Sequence, residues 1–182
     1  MPYSIAQEPE AVRSAAALQR MSAILSIRLI ESTCKCKAPL VDNASAQLSF
    51  SAEFHPECID VSGGMLRIGT RFLFRIIRES DKDEVISIGC LFGAEYVLAE
   101  GFVPADEQIK AFSEGPAIFN CWPYFREYAQ NTVMRMNYPP PTIPFLWLES
   151  KQVTGPDDVS GTPDLPGKHQ PARRKKKKKK RS

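Results

Sequence analysis

The stretch from Gly115 to Leu148 reads G-P-A-I-F-N-C-W-P-Y-F-R-E-Y-A-Q-N-T-V-M-R-M-N-Y-P-P-P-T-I-P-F-L-W-L. Its first half has helical spacing. Ile118, Trp122, Phe125, Ala129, Val133 and Met136 recur at steps of three and four and share one face. Tyr124 and Tyr128 flank that face, while Arg126, Glu127, Gln130 and Arg135 fall mostly on the other side. Gly115-Pro116 supplies a start, since a proline is tolerated where the first amides lack partners. Pro123 removes a backbone donor and predicts a kink or the true helix start. The helix cannot pass Pro139-Pro140-Pro141, so Tyr138 to Leu148 is predicted to be extended.

Working outward, four earlier segments read as strands. Ser22 to Cys36 is rich in Ile and Leu. Ser45 to His55 alternates, with Leu48, Phe50, Ala52 and Phe54 on one face, and His55 to Gly64 reads as a turn region. Leu66 to Glu79 places Leu66, Ile68, Thr70, Phe72, Phe74 and Ile76 on one face and Arg67, Arg71 and Arg75 on the other. Glu84 to Ala99 places Ile86, Ile88, Cys90, Phe92, Ala94 and Tyr96 together, with Gly89 and Gly93 opposite. Half-buried strands need a cover. The chain supplies a short helix, Pro104 to Glu114, and then the opening helix. The expected fold is α+β: a four-stranded antiparallel sheet followed by two helices packed on one face. Residues 1–21 form an arm or short helix, 22–149 the domain, and 150–182 a disordered tail with too few apolar residues to fold.

The net charge of +3 conceals two regions of opposite sign. Arg173, Arg174, Lys175 to Lys180 and Arg181 carry nine positive charges; without them, 15 Lys+Arg face 21 Asp+Glu. The body is acidic and the tail basic. No apolar run reaches the length of a membrane span, and Met1 to Ala11 shows no basic-then-apolar leader, so a cytoplasmic protein is expected. Five cysteines, an odd number, point to free thiols rather than a disulfide framework.

Catalytic chemistry finds little support. The chain has two histidines, His55 and His169, and no G-x-S-x-G, phosphate-cradling glycine loop or H-E-x-x-H. No enzyme, cofactor or metal is assigned. Cys34, Cys36, His55 and Cys58 are a zinc-type ligand set without finger or ribbon spacing. If the first two strands form a simple hairpin, Cys36 lies near the turn and His55 near the far end; a crossover connection weakens that objection. The row Arg67, Arg71, Arg75 reads as a solvated sheet face partnered by Glu53 or Glu84, ahead of a phosphate site.

The segment W-P-Y-F-R-E-Y-A-Q-N-T-V-M-R-M-N-Y-P-P-P-T-I-P-F-L resembles the SecB family of export chaperones. The matching residues are Pro123, Tyr124, Arg126, Glu127, Pro140, Pro141, Ile143 and Phe145. The order of elements extends the resemblance over Ser22 to Leu148. It implies an ATP-independent holdase that needs no cofactor, assembles as a homotetramer (a dimer of dimers) and holds unfolded or precursor proteins in apolar grooves. It also implies two settings: export, with the SecA motor as partner, or a dedicated client such as the antitoxin of a toxin–antitoxin system. Client contact is expected at Phe102, Val103, Ile109, Phe112, Tyr138, Ile143, Phe145 and Trp147, and subunit packing at Tyr124, Tyr128 and Val133. The chain departs from the family pattern in its sheet arginines and basic tail, where motor docking uses acidic residues. The competing reading is an oligomeric adaptor whose Lys/Arg tail binds nucleic acid or another acidic surface by charge.

Overall fold

Period-two alternation decides the sheet, and the stripe of the last long helix decides what covers it. The computed structural model describes residues 3–37 and 47–151. The chain runs β1 (Tyr3–Gln7), α1 (Pro9–Arg20), β2 (Ser22–Cys36), β3 (Leu48–Ser62), β4 (Met65–Arg78), β5 (Glu84–Leu98), α2 (Asp106–Phe112), a π-helical turn (Ser113–Ala117), α3 (Ile118–Arg135) and β6 (Leu146–Ser150). Strands β2 to β5 form one antiparallel sheet in the order β2-β5-β4-β3. The tail expected over 150–182 lies outside the described residues beyond Lys151.

The face assignments follow the alternation. Leu66, Ile68, Thr70, Phe72, Phe74 and Ile76 of β4 are buried, as are Ile86, Ile88, Cys90, Phe92, Ala94 and Tyr96 of β5. Onto this face α3 lays Ile118, Trp122, Phe125, Ala129 and Val133, all buried. Phe72 and Phe125 stack with ring centres 4.6 Å apart, and Trp122 meets Phe54, Phe72 and Phe125 at 5.6, 6.1 and 5.1 Å. Burial pushes the Cys90 thiol up to about 12 and the Cys121 thiol to about 11, so neither is a ready nucleophile.

The structure decides two alternatives and corrects one expectation. The first two sheet strands are not neighbours: β2 and β3 are the two outer strands, with β5 and β4 between them. Cys34 and Cys36 therefore lie on one edge, and His55 and Cys58 on the other. Among the described residues no three metal-ligating side chains converge. The region after His55 is not a turn. Strand β3 continues to Ser62, passing Pro56 with a bulge before Cys58. An edge strand tolerates that proline because its unpaired side needs no donor. The turn itself is Gly63-Gly64, with φ of 57° and 71°, which glycine adopts without strain. Finally, of the arm or short helix expected over residues 1–21, the structure has the helix, α1, preceded by the short strand β1. Ala15 and Leu18 of α1 are fully buried, and β1 pairs in parallel with β6.

On the opposite face the arginines are saturated. Arg67 pairs with Asp60 and Glu95, Arg71 with Glu57 and Glu31, and Arg75 with Glu53 and Glu84. Gly69 and Gly93 are register partners beneath this layer, covered by Cys58 and by Ile30 from the two flanking strands. A side chain at Gly69 would collide with Cys58 Sγ.

Two expectations follow from this packing. Phe125→Ala should lower unfolding free energy by about 3–5 kcal/mol in a denaturant titration. The second concerns acid. Hydrogen bonds from Arg71 to Glu57, from Ser62 and Arg67 to Asp60, and from Ser26 to Glu95 hold these carboxyls below their ordinary values. Their folded states bind protons less readily than the unfolded chain. Their contribution is complete above the ordinary glutamate value of about 4.3 and is lost as pH falls through the lower folded values. Melting temperature measured from pH 6 to 2 should fall only in that acidic window, and Arg71→Gln should flatten the fall.

Candidate functional site

The helix α3 ends on its own cap, before the prolines. Asn137 has φ of 62°; its N–H donates to the Met134 carbonyl at 2.9 Å, and Tyr138 N–H donates to the Val133 carbonyl at 3.2 Å. This is a Schellman motif with asparagine in the left-handed position. It reverses the chain, so that residues 139–145 run back along the helix.

Three side chains, each four residues apart, hold that return segment. Gln130 Nε2 donates to the Pro141 carbonyl at 3.0 Å, Arg126 Nε to the Ile143 carbonyl at 2.9 Å, and Trp122 Nε1 to the Pro144 carbonyl at 3.1 Å. The guanidinium of Arg126 also lies 4.5 Å over the Phe145 ring. Arg126 and Gln130, which the periodicity puts on the outer side, are thus the clasp of an extended strap. A proline-rich strap suits this role: its prolines offer carbonyls and have no N–H groups to satisfy.

The strap separates the expected contact residues into two sets. Val103 is 85% exposed, Phe145 68% and Trp147 58%. Leu148, next to Trp147 in sequence, is also exposed. Phe102 and Ile109 are half-buried against the core. Phe112, Tyr138 and Ile143 are interior. In this subunit they support the strap and helices and present no surface, a correction to their expected place as contacts. Aromatic residues near helix ends look alike in sequence whether they cap a core or line a cleft.

The expected subunit-packing residues also divide. Tyr124 is exposed; Tyr128 is half-buried, its ring on Phe92 and its hydroxyl 3.6 Å from Cys34 Sγ; Val133 is fully buried in the subunit's own core. Burial raises the Tyr128 hydroxyl above its ordinary pKa. The sequence reading overlooked Phe119 and Met134, exposed on α3, and Ile24, Leu25, Leu29 and Ile30, exposed on edge strand β2. Their signal was a surplus of apolar residues outside the core periodicity. A depression of about 250 Å³ lies over Gly69 and Gly93, on the sheet face away from the strap.

The arrangement is a four-stranded sheet covered on one face by helices and a strap, and comparison with solved structures shows that this fold is SecB-like. The Mycobacterium tuberculosis SecB-like chaperone Rv1957, solved in complex with a ChAD peptide from the Rv1956 HigA1 antitoxin, matches with a TM-score of 0.67 at 24% identity. The match covers 75% of this chain and 99% of that one. At that identity the likeness establishes the fold. A protein of unknown function from Streptococcus agalactiae gives a TM-score of 0.40 at 11% identity, covering 68% and 97% of the two chains, too low to carry an argument. No protein-family model matches the chain, and no curated protein does.

Arg126→Ala should leave the Ile143 carbonyl without its donor and uncover the Phe145 ring. A loss of about 1–3 kcal/mol is expected in denaturant unfolding, together with faster amide exchange over residues 142–148 than elsewhere in the chain.

Proposed function

We propose that the chain is an ATP-independent holdase chaperone that binds unfolded polypeptides through its exposed apolar residues Val103, Phe145, Trp147 and Leu148, with the half-buried Phe102 and Ile109 contributing. The observation that carries this reading is the strap with its continuation into β6: clamped, extended backbone on which two large aromatic rings, Phe145 and Trp147, are exposed. Large apolar side chains left exposed on a clamped segment fit an interaction site. An extended apolar segment can dock there by area and backbone bonding with little sequence preference. The SecB-like fold supports the same reading, and the solved relative's antitoxin peptide favours a dedicated client of that type over general export.

Assembly as a homotetramer belongs to this proposal. The unpaired edge of β2 and the outer side of α3, with Phe119, Tyr124 and Met134, are the surfaces that would be covered. Docking of the SecA motor is not favoured, because every arginine of β4 on the outer sheet face already has two carboxylates and leaves neither sign in large excess. The alternative, a nucleic-acid adaptor, rests on the nine basic residues between Arg173 and Arg181.

Aggregation suppression of a denatured reporter separates these readings. Protection should persist in moderate salt and after removal of residues 172–182. It should fall by about tenfold or more in potency for Phe145→Ser with Trp147→Ser, as loss of two large aromatic contacts implies. Full protection by the double variant, or protection that disappears with the tail, would overturn the proposal.

A further inference from the structure

The seat of β1 has the chemistry of a peptide-binding site. Along β1, Tyr3, Ile5 and Gln7 face inward and are half-buried, while Ser4 and Ala6 are exposed. Each inward residue meets a different surface. The Tyr3 ring packs edge-on against Trp122 at 5.3 Å, and its hydroxyl reaches the backbone of Ala52. Ile5 packs against the apolar core. Gln7 Nε2 donates to the Ala111 carbonyl at 2.8 Å.

The last contact is built into the helix. Five residues beyond Ala111 stands Pro116, which has no N–H to close a π-type bond on that carbonyl. Gln7 supplies the donor. Gly115 makes room for it: a Cβ there would lie 2.6 Å from Gln7 Oε1. The backbone of β6 completes the seat, in register from Tyr3 opposite Leu146 to Gln7 opposite Ser150, and Lys151 N–H donates to the Gln7 carbonyl at 2.8 Å. A cleft of about 140 Å³, bordered by Gln7, Ala15, Pro116 and Leu148, continues the groove beyond the strand.

What holds β1 is slight by comparison with its neighbours. It belongs to a two-stranded parallel sheet, the less stable pairing in the smallest unit. None of its five residues is fully buried. Helix α1, which follows, is anchored independently by Ala15 and Leu18. The strand can therefore leave while the helix stays.

We propose that β1 is an exchangeable occupant of this groove, and that the groove binds extended client segments carrying an aromatic, an aliphatic and an amide side chain at alternate positions. This rests on the holdase reading and deepens it: the incoming segment replaces β1 beside β6, adjoining the exposed Trp147 and Leu148. The resident strand sets the specificity. Trp122 selects a ring, and the Ala111 carbonyl beside Gly115 selects an amide donor. Because β1 is tethered, it competes at an effective concentration of about a millimolar, which screens out weak ligands.

The test uses a fluorescent peptide with the sequence of residues 3–10, and the same peptide with its Tyr and Ile replaced by Ser as control. Three forms of the full chain are titrated, with exposed Cys34, Cys36 and Cys58 changed to Ser. They are the parent, a loosened form (Tyr3→Ser with Ile5→Ser), and a form locked by a disulfide after Ala6→Cys and Glu149→Cys, which are register partners. The loosened form should bind the peptide about tenfold or more tightly than the parent, about the effect expected when a tethered competitor is weakened. The oxidised lock should abolish binding and reduction should restore it. Equal binding by loosened and parent forms, or by oxidised and reduced lock, overturns the proposal. If the loosened form does not fold, the oxidised and reduced pair decides alone, and absence of binding by the reduced form also overturns it.

Reduced, carboxymethylated α-lactalbumin, a permanently unfolded chain, is then titrated against the same forms. Binding should rank loosened, parent, locked. Equal binding by all three removes this groove as a client site and leaves the exposed apolar residues as the holdase surface. Binding by none removes the holdase reading, while the peptide titration still decides whether the seat accepts a strand.

Discussion

The indole of Trp122 joins the layers of the subunit. Its ring touches Phe54 and Phe72 on two different strands, Phe125 on its own helix, and Tyr3 on β1. Its N–H donates to the carbonyl of Pro144 and so begins the row that Arg126 and Gln130 continue. Buried tryptophan generally requires a partner for that N–H. The requirement places the strap, which leads from the exposed Phe145 into β6 and the exposed Trp147. One residue thus couples the order of the core to the exposure of the surface proposed for clients.

The sheet, its buried face and the core stripe of α3 were legible because alternation and helical spacing are local properties. Leu66 to Ile76 and Ile86 to Tyr96 declare their faces within a dozen residues. The neighbours of β2 were not legible, since a run such as Ile24 to Ile30 names no partner strand. Nor were β1 and β6, five residues each, whose pairing spans nearly the whole described chain. The strap was read as extended from its prolines, but the cap at Asn137 and the clasp of Arg126 and Gln130 depend on geometry that spacing does not encode. Of the expected contact residues, Phe145 and Trp147 are on the surface and Tyr138 and Ile143 are inside. All four have similar sequence surroundings; the difference arises from which way a reversed segment turns its side chains over the helix.

The outer sheet face shows how a sequence row can mislead about charge. Arg67, Arg71 and Arg75 look like a basic stripe, but their partners come from β2, β3 and β5, at positions scattered from Glu31 to Glu95. Such exposed pairs contribute little stability individually. Their larger effect is to make the face neither an anion nor a cation site.

The strand order has a consequence for how the chain reaches this structure. Strands β3, β4 and β5 are joined by short hairpins and can zip successively as they emerge. Strand β2 is made before them, yet it pairs only with β5: Ser22 lies opposite Leu98, 76 positions later. Until that last partner exists, fifteen residues rich in isoleucine and leucine have nowhere to bond. Long-separation pairings of this kind slow folding and prolong the stage at which a chain can associate wrongly. On the function proposed above, a shelterer of immature polypeptides would pass through the same vulnerability during its own synthesis.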